Sequence, residues 1–210
     1  MKLKICGMKY ADNIREVAKL SPDFMGFIFY PYSKRFVGYN FVMPEITFSI
    51  KKVGVFVNDS IENILNKVKK YKLDFVQLHG NESVEFCKRT GEKVKIIKAF
   101  GIDEQFNFSA LNEYENCCEY FLLDTKTKEY GGSGKSFDKN FLKHYKSQKP
   151  FFLSGGIDLE EVSILNTSNL FAIDVNSKFE ISPGVKDINK LSLLIMNMQI
   201  TNKDRTIRNS

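Results

Sequence analysis

Eight short apolar or β-branched runs recur along the chain: Leu3–Cys6, Phe24–Phe29, Val53–Val57, Phe75–Leu78, Val94–Ala99, Tyr120–Asp124, Phe151–Ser154 and Phe171–Val175. Their residues are apolar almost without interruption, rather than alternating with polar ones. That is the pattern of strands covered on both faces, as in a parallel sheet wrapped by helices. Parallel neighbours need a crossover connection, and helical spacings fill the gaps between runs. Eight such units in one series, with no Pro- or Gly-rich linker, predict an α/β fold of one kind, a single (β/α)8 barrel. An open doubly wound sheet usually stops at about five or six strands.

The helical spacings carry their own start signals. Ile61, Ile64, Leu65 and Val68 form one stripe behind the cap candidates Asp59 and Ser60. Ile14, Val17 and Ala18 follow Asp12. Leu159, Val162 and Leu165 follow Asp158, which pairs with Glu161 as a capping box, and Ile188, Leu191, Ile195 and Met198 follow Asp187. The segment 38–48 is the poorest helix former, with Pro44 in its middle. The barrel domain is expected to span 1–200, with a polar C-terminal tail over 201–210.

Composition narrows the function classes. In 210 residues, 43% hydrophobic and 27% charged side chains describe an ordinary globular chain. No apolar run reaches the ~18 residues of a membrane span, and the first residues lack the apolar core of a secretory signal, so a cytoplasmic location without membrane contact is expected. Four cysteines without a CxxC spacing, and only His79 and His144 beside them, indicate free thiols and no metal site. The net charge of +6 is carried partly by Lys203, Arg205 and Arg208 near the C-terminus. No nucleic-acid-binding pattern accompanies it, so the charge is read as solvated surface lysines and no nucleic-acid partner is expected.

In a (β/α)8 barrel the active site lies at the C-terminal ends of the strands. Those positions hold Cys6-Gly7, the loop from Pro31 to Phe36, Asn58, Gln77 to Gly80, Lys98 to Phe100, Asp124 to Lys126, Ser154 to Gly156 and Asp174 to Ser177. Taken alone, a cysteine after a strand is more often a buried structural residue, and an aspartate there is often a turn or cap.

Seven blocks in register change that weighting: KICGM, GFIFYPYSKRFV, VGVFVN, VQLHGNE, LLDTK with GGSGKSFD, LSGGI, and DVNSKFE with PGVKD. Together they resemble the phosphoribosylanthranilate isomerase family over nearly the whole chain. The resemblance implies an Amadori rearrangement without a cofactor, in tryptophan biosynthesis. It implies that Cys6 is the general base and Asp124 the general acid, and that Arg35 meets a substrate carboxylate. Gln77, His79 and Asp174 take supporting places around the substrate, with His79 read as a hydrogen-bonded holder of its loop. Gly155, Gly156, Asn176 and Ser177 fall at the phosphate, where barrels of this class use the loops after strands 7 and 8. The chemistry suits the residue types. A thiol of reference pKa ~8.5 becomes a base in a modestly electropositive setting. A carboxyl must be raised by desolvation to donate near neutrality, which a strand as apolar as that before Asp124 would supply. The segment 131–134 is read as a loop over the site.

Two blocks depart from the family's commonest form. Lys178-Phe179 replaces a glycine followed by a small aliphatic residue, which bears on the phosphate loop, and Lys139 stands where tryptophan is frequent. The related isomerase of histidine biosynthesis places an aspartate at the end of strand 1, so Cys6 argues against it. A non-catalytic phosphate-binding barrel or a basic scaffold would have no use for both Cys6 and Asp124.

Overall fold

The computed structural model describes residues 1–46, 49–125, 139–159 and 169–208. Eight parallel strands close into a barrel: β1 (Lys2–Ile5), β2 (Phe24–Ile28), β3 (Lys51–Phe56), β4 (Phe75–Leu78), β5 (Lys95–Ile102), β6 (Tyr120–Thr125), β7 (Phe151–Ser154) and β8 (Leu170–Val175). Closure is made by β1 against β8, with Lys4 opposite Asp174 and Ile5 opposite Val175. All eight sequence-predicted strands are present, with ends within a few residues of those expected.

Among the described residues the α-helices are α1 (Ala11–Lys19), α2 (Ile61–Tyr71), α3 (Val84–Gly91) and α4 (Ile188–Arg208). Ser60 caps α2 by accepting from the Asn63 N–H at 3.1 Å, and Asp187 accepts from the Lys190 N–H at 3.1 Å at the start of α4. Asp12 does not cap α1. It is the second residue of the helix, in the first turn and paired with Arg15, and Tyr10 occupies the cap position without a side-chain bond. α4 runs on to Arg208, so residues 201–208 extend that helix. None of the helices among the described residues is long and apolar enough to cross a membrane.

The scheme of one α-helix per strand is relaxed in two ways. No helix fills the described part of the connection from β2 to β3, where Pro44 lacks an N–H donor. β5 and β6 are followed by the 3-10 helices Phe108–Tyr114 and Lys139–His144. At the first of these, the Asn107 side chain accepts from the Ser109 N–H, a local bond that favours a tight turn over an α-helical start. A two-stranded hairpin, β9 (Glu180–Ser182) with β10 (Val185–Lys186), lies between β8 and α4. The sequence-predicted helix through Val162 and Leu165, its Asp158–Glu161 capping box, and the loop 131–134 lie outside the described residues or extend beyond them.

The core has two layers. Ile14, Val17, Ile64, Leu78, Ile173 and Leu191 pack between barrel and helices. Phe24, Val53, Phe75, Ile97, Leu122, Phe152 and Ala172 fill the barrel interior, the six larger side chains each contributing on the order of 1.5–3 kcal/mol where fully buried. Phe24 meets Phe152 edge to face at 5.2 Å. Strand side chains alternate with period two, so this inner layer also determines what faces the mouth. Phe75 is followed on the same face by Gln77 and His79, Leu122 by Asp124, Phe152 by Ser154, and Ala172 by Asp174 and Asn176. On β1, Lys4 and Cys6 share that face, while Leu3 and Ile5 turn outward into the helix layer.

Candidate active site

At the C-terminal end of the barrel a cavity of about 340 Å³ is lined by Cys6, Arg35, Gln77, His79, Asp124, Gly155, Gly156, Asp174, Asn176 and Ser177. These are the ten residues singled out from the sequence. Val55, Val57, Ile28 and Tyr30 supply its apolar wall. A wider depression of about 850 Å³ on the barrel's flank, around Phe106, Phe108 and Tyr145, receives none of the strand-end groups.

Cys6 follows β1 and is buried, with its N–H bonded to the Val175 carbonyl at 2.9 Å. Burial pushes its thiol up from the ordinary value, and the positive charges of Lys4 and Lys186 act against that push. Lys4 is fully buried. Its Nζ lies 2.7 Å from Asp174 Oδ2, and its positive charge acts on the Cys6 sulfur on the same face of the strand. Burial would strip the Lys4 proton, but Asp174 outweighs it and holds the ammonium charged. Burial draws Asp174 upward, toward its neutral form. The two tendencies conflict, and the 2.7 Å contact between residues directly opposed on paired strands favours the ionised pair.

Gly26 explains how the sulfur fits. A Cβ built there would lie 2.7 Å from Cys6 Sγ, closer than carbon and sulfur tolerate. Gly26→Ala should therefore displace the sulfur and lower kcat by about tenfold or more, since small misplacements of reacting groups are expensive. Unchanged steady-state kinetics in that variant would show that the position of the sulfur is immaterial.

Asp124 ends the inward face of β6. Its side chain is 36% exposed, and Oδ2 lies 3.4 Å from His79 Nε2. The desolvation expected from the apolar strand is incomplete, because the carboxyl projects past Leu122 and Leu123 into the mouth. Gln77 Nε2 lies 2.7 Å from His79 Nδ1. With the amide donating, the imidazole proton sits on Nε2, toward Asp124. His79 is thus tied to the carboxyl as well as to its own loop, whose backbone it fixes through its N–H to the Phe56 carbonyl at 2.8 Å. Behind that loop, buried Lys98 bonds the carbonyls of Leu78, Gly80 and Ala99 and the Glu82 carboxylate. Lys98 points away from the cavity, although it lies in a strand-end segment.

Arg35 reaches the rim from the loop after β2 and is held by Glu180 through Nε at 2.9 Å and Nη2 at 2.6 Å. Glu180 also accepts from Lys186 Nζ at 2.8 Å and from the Gly184 N–H. Lys186 in turn bonds Asn176 Oδ1 at 2.7 Å. Gly7, at φ +77°, sits where a Cβ would strike both Arg35 and Asn176 at 2.7 Å, so only glycine fits between them. Burial works to raise the Glu180 carboxyl, and hydrogen bonds from Arg35 and Lys186 outweigh it and hold it below its usual 4.5. A depressed folded-state pKa contributes stability above the unfolded value, and that stability is lost as pH falls through the lowered folded value. Acid unfolding should therefore steepen below about pH 4.5, and Glu180→Gln should flatten that limb. An identical acid limb in melts of both proteins would contradict the assignment.

The far end of the cavity is backbone-rich. Gly155 and Gly156, at φ +98° and +65°, turn the chain after β7, and Asn176, Ser177 and Lys178 turn it after β8. Phe179, where the resemblance led to expect a small aliphatic residue, is buried in the outer core. It anchors the turn and leaves Lys178 exposed at the rim.

Sequence reading missed Lys4, Glu180 and Lys186. Lys4 had a local signal: a lysine inside an apolar strand, two residues before Cys6 and so on the same face. Glu180 and Lys186 had none, because their partners are set by the fold.

These strand ends define a (β/α)8-barrel enzyme class in which a thiol, a carboxyl and an arginine face one cavity with a glycine-rich end. The family model of N-(5'-phosphoribosyl)anthranilate isomerase matches residues 3–197. The chain belongs to that family. A relative from Parabacteroides distasonis bearing this name is 47% identical over 93% of this chain and 92% of its own length. One from Thermotoga maritima is 36% identical, covering 94% and 98%. The crystal structure of the phosphoribosyl anthranilate isomerase from Thermotoga maritima superposes with a TM-score of 0.80 at 33% identity, covering 95% of this chain and 98% of that one. A phosphoribosyl anthranilate isomerase in complex with reduced 1-(o-carboxyphenylamino)-1-deoxyribulose 5-phosphate does so with a TM-score of 0.78 at 31% identity, covering the same shares.

Proposed function

We propose that the protein converts N-(5-phosphoribosyl)anthranilate to 1-(2-carboxyphenylamino)-1-deoxyribulose 5-phosphate, an isomerisation in tryptophan biosynthesis. The observation that carries this reading is the convergence of Cys6, Asp124, Arg35 and the turns after β7 and β8 on one cavity, in a chain of this family. Asp124 donates a proton to the furanose ring oxygen, so the C1–O bond breaks and the anthranilate nitrogen carries the positive charge as an iminium. Cys6 removes the proton from C2, and the electron pair neutralises the iminium to give an enolamine. Ketonisation completes the transfer of two electrons from C2 to C1, with no external oxidant or reductant. The site needs no cofactor for these steps.

Arg35 meets the anthranilate carboxylate. Glu180 takes the Nε–Nη2 edge of the guanidinium, and the edge bearing Nη1 serves the substrate. Arg35→Ala should raise KM by about tenfold or more, with a smaller effect on kcat; an unchanged KM would remove the residue from substrate binding. Gly155, Gly156, Asn176 and Ser177 bind the phosphate through the turns after β7 and β8, with Lys178 adding positive charge. Gln77 Oε1 and Asp174 Oδ1 are buried without hydrogen-bond partners among the described residues, and both residues line the cavity. They are the acceptors for the sugar hydroxyls. Every group in the mechanism comes from one chain, so a monomer or a homodimer is equally competent, and its four free thiols suit a cytoplasmic setting. The test is the fluorescence decay of freshly prepared phosphoribosylanthranilate on adding purified protein. Enzyme-dependent decay is expected, and decay at the uncatalysed rate would refute the activity.

A further inference from the structure

Resting on the reading of Cys6 as the base, a difficulty remains within the site: a thiol this deeply buried holds its proton, whereas the reaction needs a thiolate. We infer that the buried Lys4–Asp174 pair is a charge balance that sets the proton affinity of Cys6, with Lys4 as the counter-ion of the thiolate. Three observations carry it. Lys4 and Cys6 are two residues apart on one strand and so share the inward face, and the ammonium lies 2.7 Å from Asp174 Oδ2. Both members of the pair are buried, where solvent cannot screen them. Asp174 Oδ1 is buried without a hydrogen-bond partner among the described residues, in a residue that lines the substrate cavity, so the pair has one acceptor on the ligand side.

In the resting pair Asp174 opposes much, but not all, of the positive field that Lys4 presents to the sulfur. A substrate hydroxyl donating to Asp174 Oδ1 spreads part of the carboxylate charge onto the ligand. Lys4 then acts on Cys6 less opposed, and thiolate forms when substrate is present to use it. Other charged or titratable groups face the same space: Lys186 from β10, Arg35 from the loop after β2, His79 from the loop after β4, and Asp124 from β6. Lys186 is committed to Glu180 and Asn176, and Arg35 to Glu180. His79 faces Asp124. Lys4 is paired with Asp174 and shares the inward face of β1 with Cys6.

The test is the pH dependence of iodoacetamide alkylation at residue 6, followed by mass spectrometry of its peptide in the absence of substrate. Lys4→Met should raise the alkylation midpoint by about one to two pH units, and Asp174→Asn should lower it by about one, since an opposite or like charge at this range moves a pKa by such amounts. Lys4→Arg should hold the wild-type midpoint to within about half a unit, keeping the charge. Because Lys4→Met alone leaves a buried carboxylate unpaired, the double variant Lys4→Met/Asp174→Asn provides a folded comparison, and its midpoint should lie above wild type. Shifts in the same direction for the two single variants, or a double variant at or below the wild-type midpoint, would overturn the inference. The base assignment is read separately, from turnover by Cys6→Ala.

Discussion

Cys6→Ala should reduce kcat by about 10²- to 10⁴-fold, the range in which a positioned general base contributes, while the protein remains folded. Removing one sulfur from a site that Gly26 keeps narrow leaves a small void, so the melting temperature should move by only a few degrees. KM should change little, because Arg35, the hydroxyl acceptors and the glycine-rich turns are untouched. Stopped-flow or steady-state fluorescence of phosphoribosylanthranilate, beside a thermal melt, separates these outcomes. A variant that is folded and turns over at a near-wild-type rate would take the thiol out of the reaction and return Cys6 to the structural role an isolated strand-end cysteine usually has.

Asp124→Asn is the second large effect. The amide preserves the size of the group and can still meet His79 Nε2, now 3.4 Å from the carboxylate. It cannot give up a proton to the ring oxygen, so ring opening should slow by about 10²-fold or more. Binding of the reduced product analogue, measured by calorimetry, should stay within about threefold of wild type because the carboxyl works on the transition state more than on the ground state. Loss of binding together with turnover would assign Asp124 to substrate affinity.

Much of this arrangement was legible in the sequence because a barrel strand is a simple object. It is apolar on both faces, so eight runs announced eight strands, and period two then placed Asp124 above Leu122 and Asp174 above Ala172. The motif blocks supplied the roles. What escaped was the pairing of residues far apart in the chain. Glu180 finds Arg35 at a separation of 145 residues, and Lys4 finds Asp174 at 170; only barrel closure brings these pairs together. The 3-10 helices after β5 and β6 also escaped, because stretches of seven and six residues are too short for a helical period to register. The environment of Asp124 was misjudged for a related reason. The apolarity of a strand describes the residues within it, and the carboxyl that ends it stands beyond their cover.

The most direct measurement of the central claim is a crystal structure of this protein with the reduced product analogue bound. The account predicts that the sugar lies between the sulfur and the carboxyl. C2 should sit about 3.5 Å from Cys6 Sγ, the oxygen of the opened ring should lie within hydrogen-bonding reach of Asp124, and the phosphate should rest on Gly155, Gly156, Asn176 and Ser177. An analogue seated with C2 remote from Cys6, or with its phosphate at the Arg35 end, would contradict it.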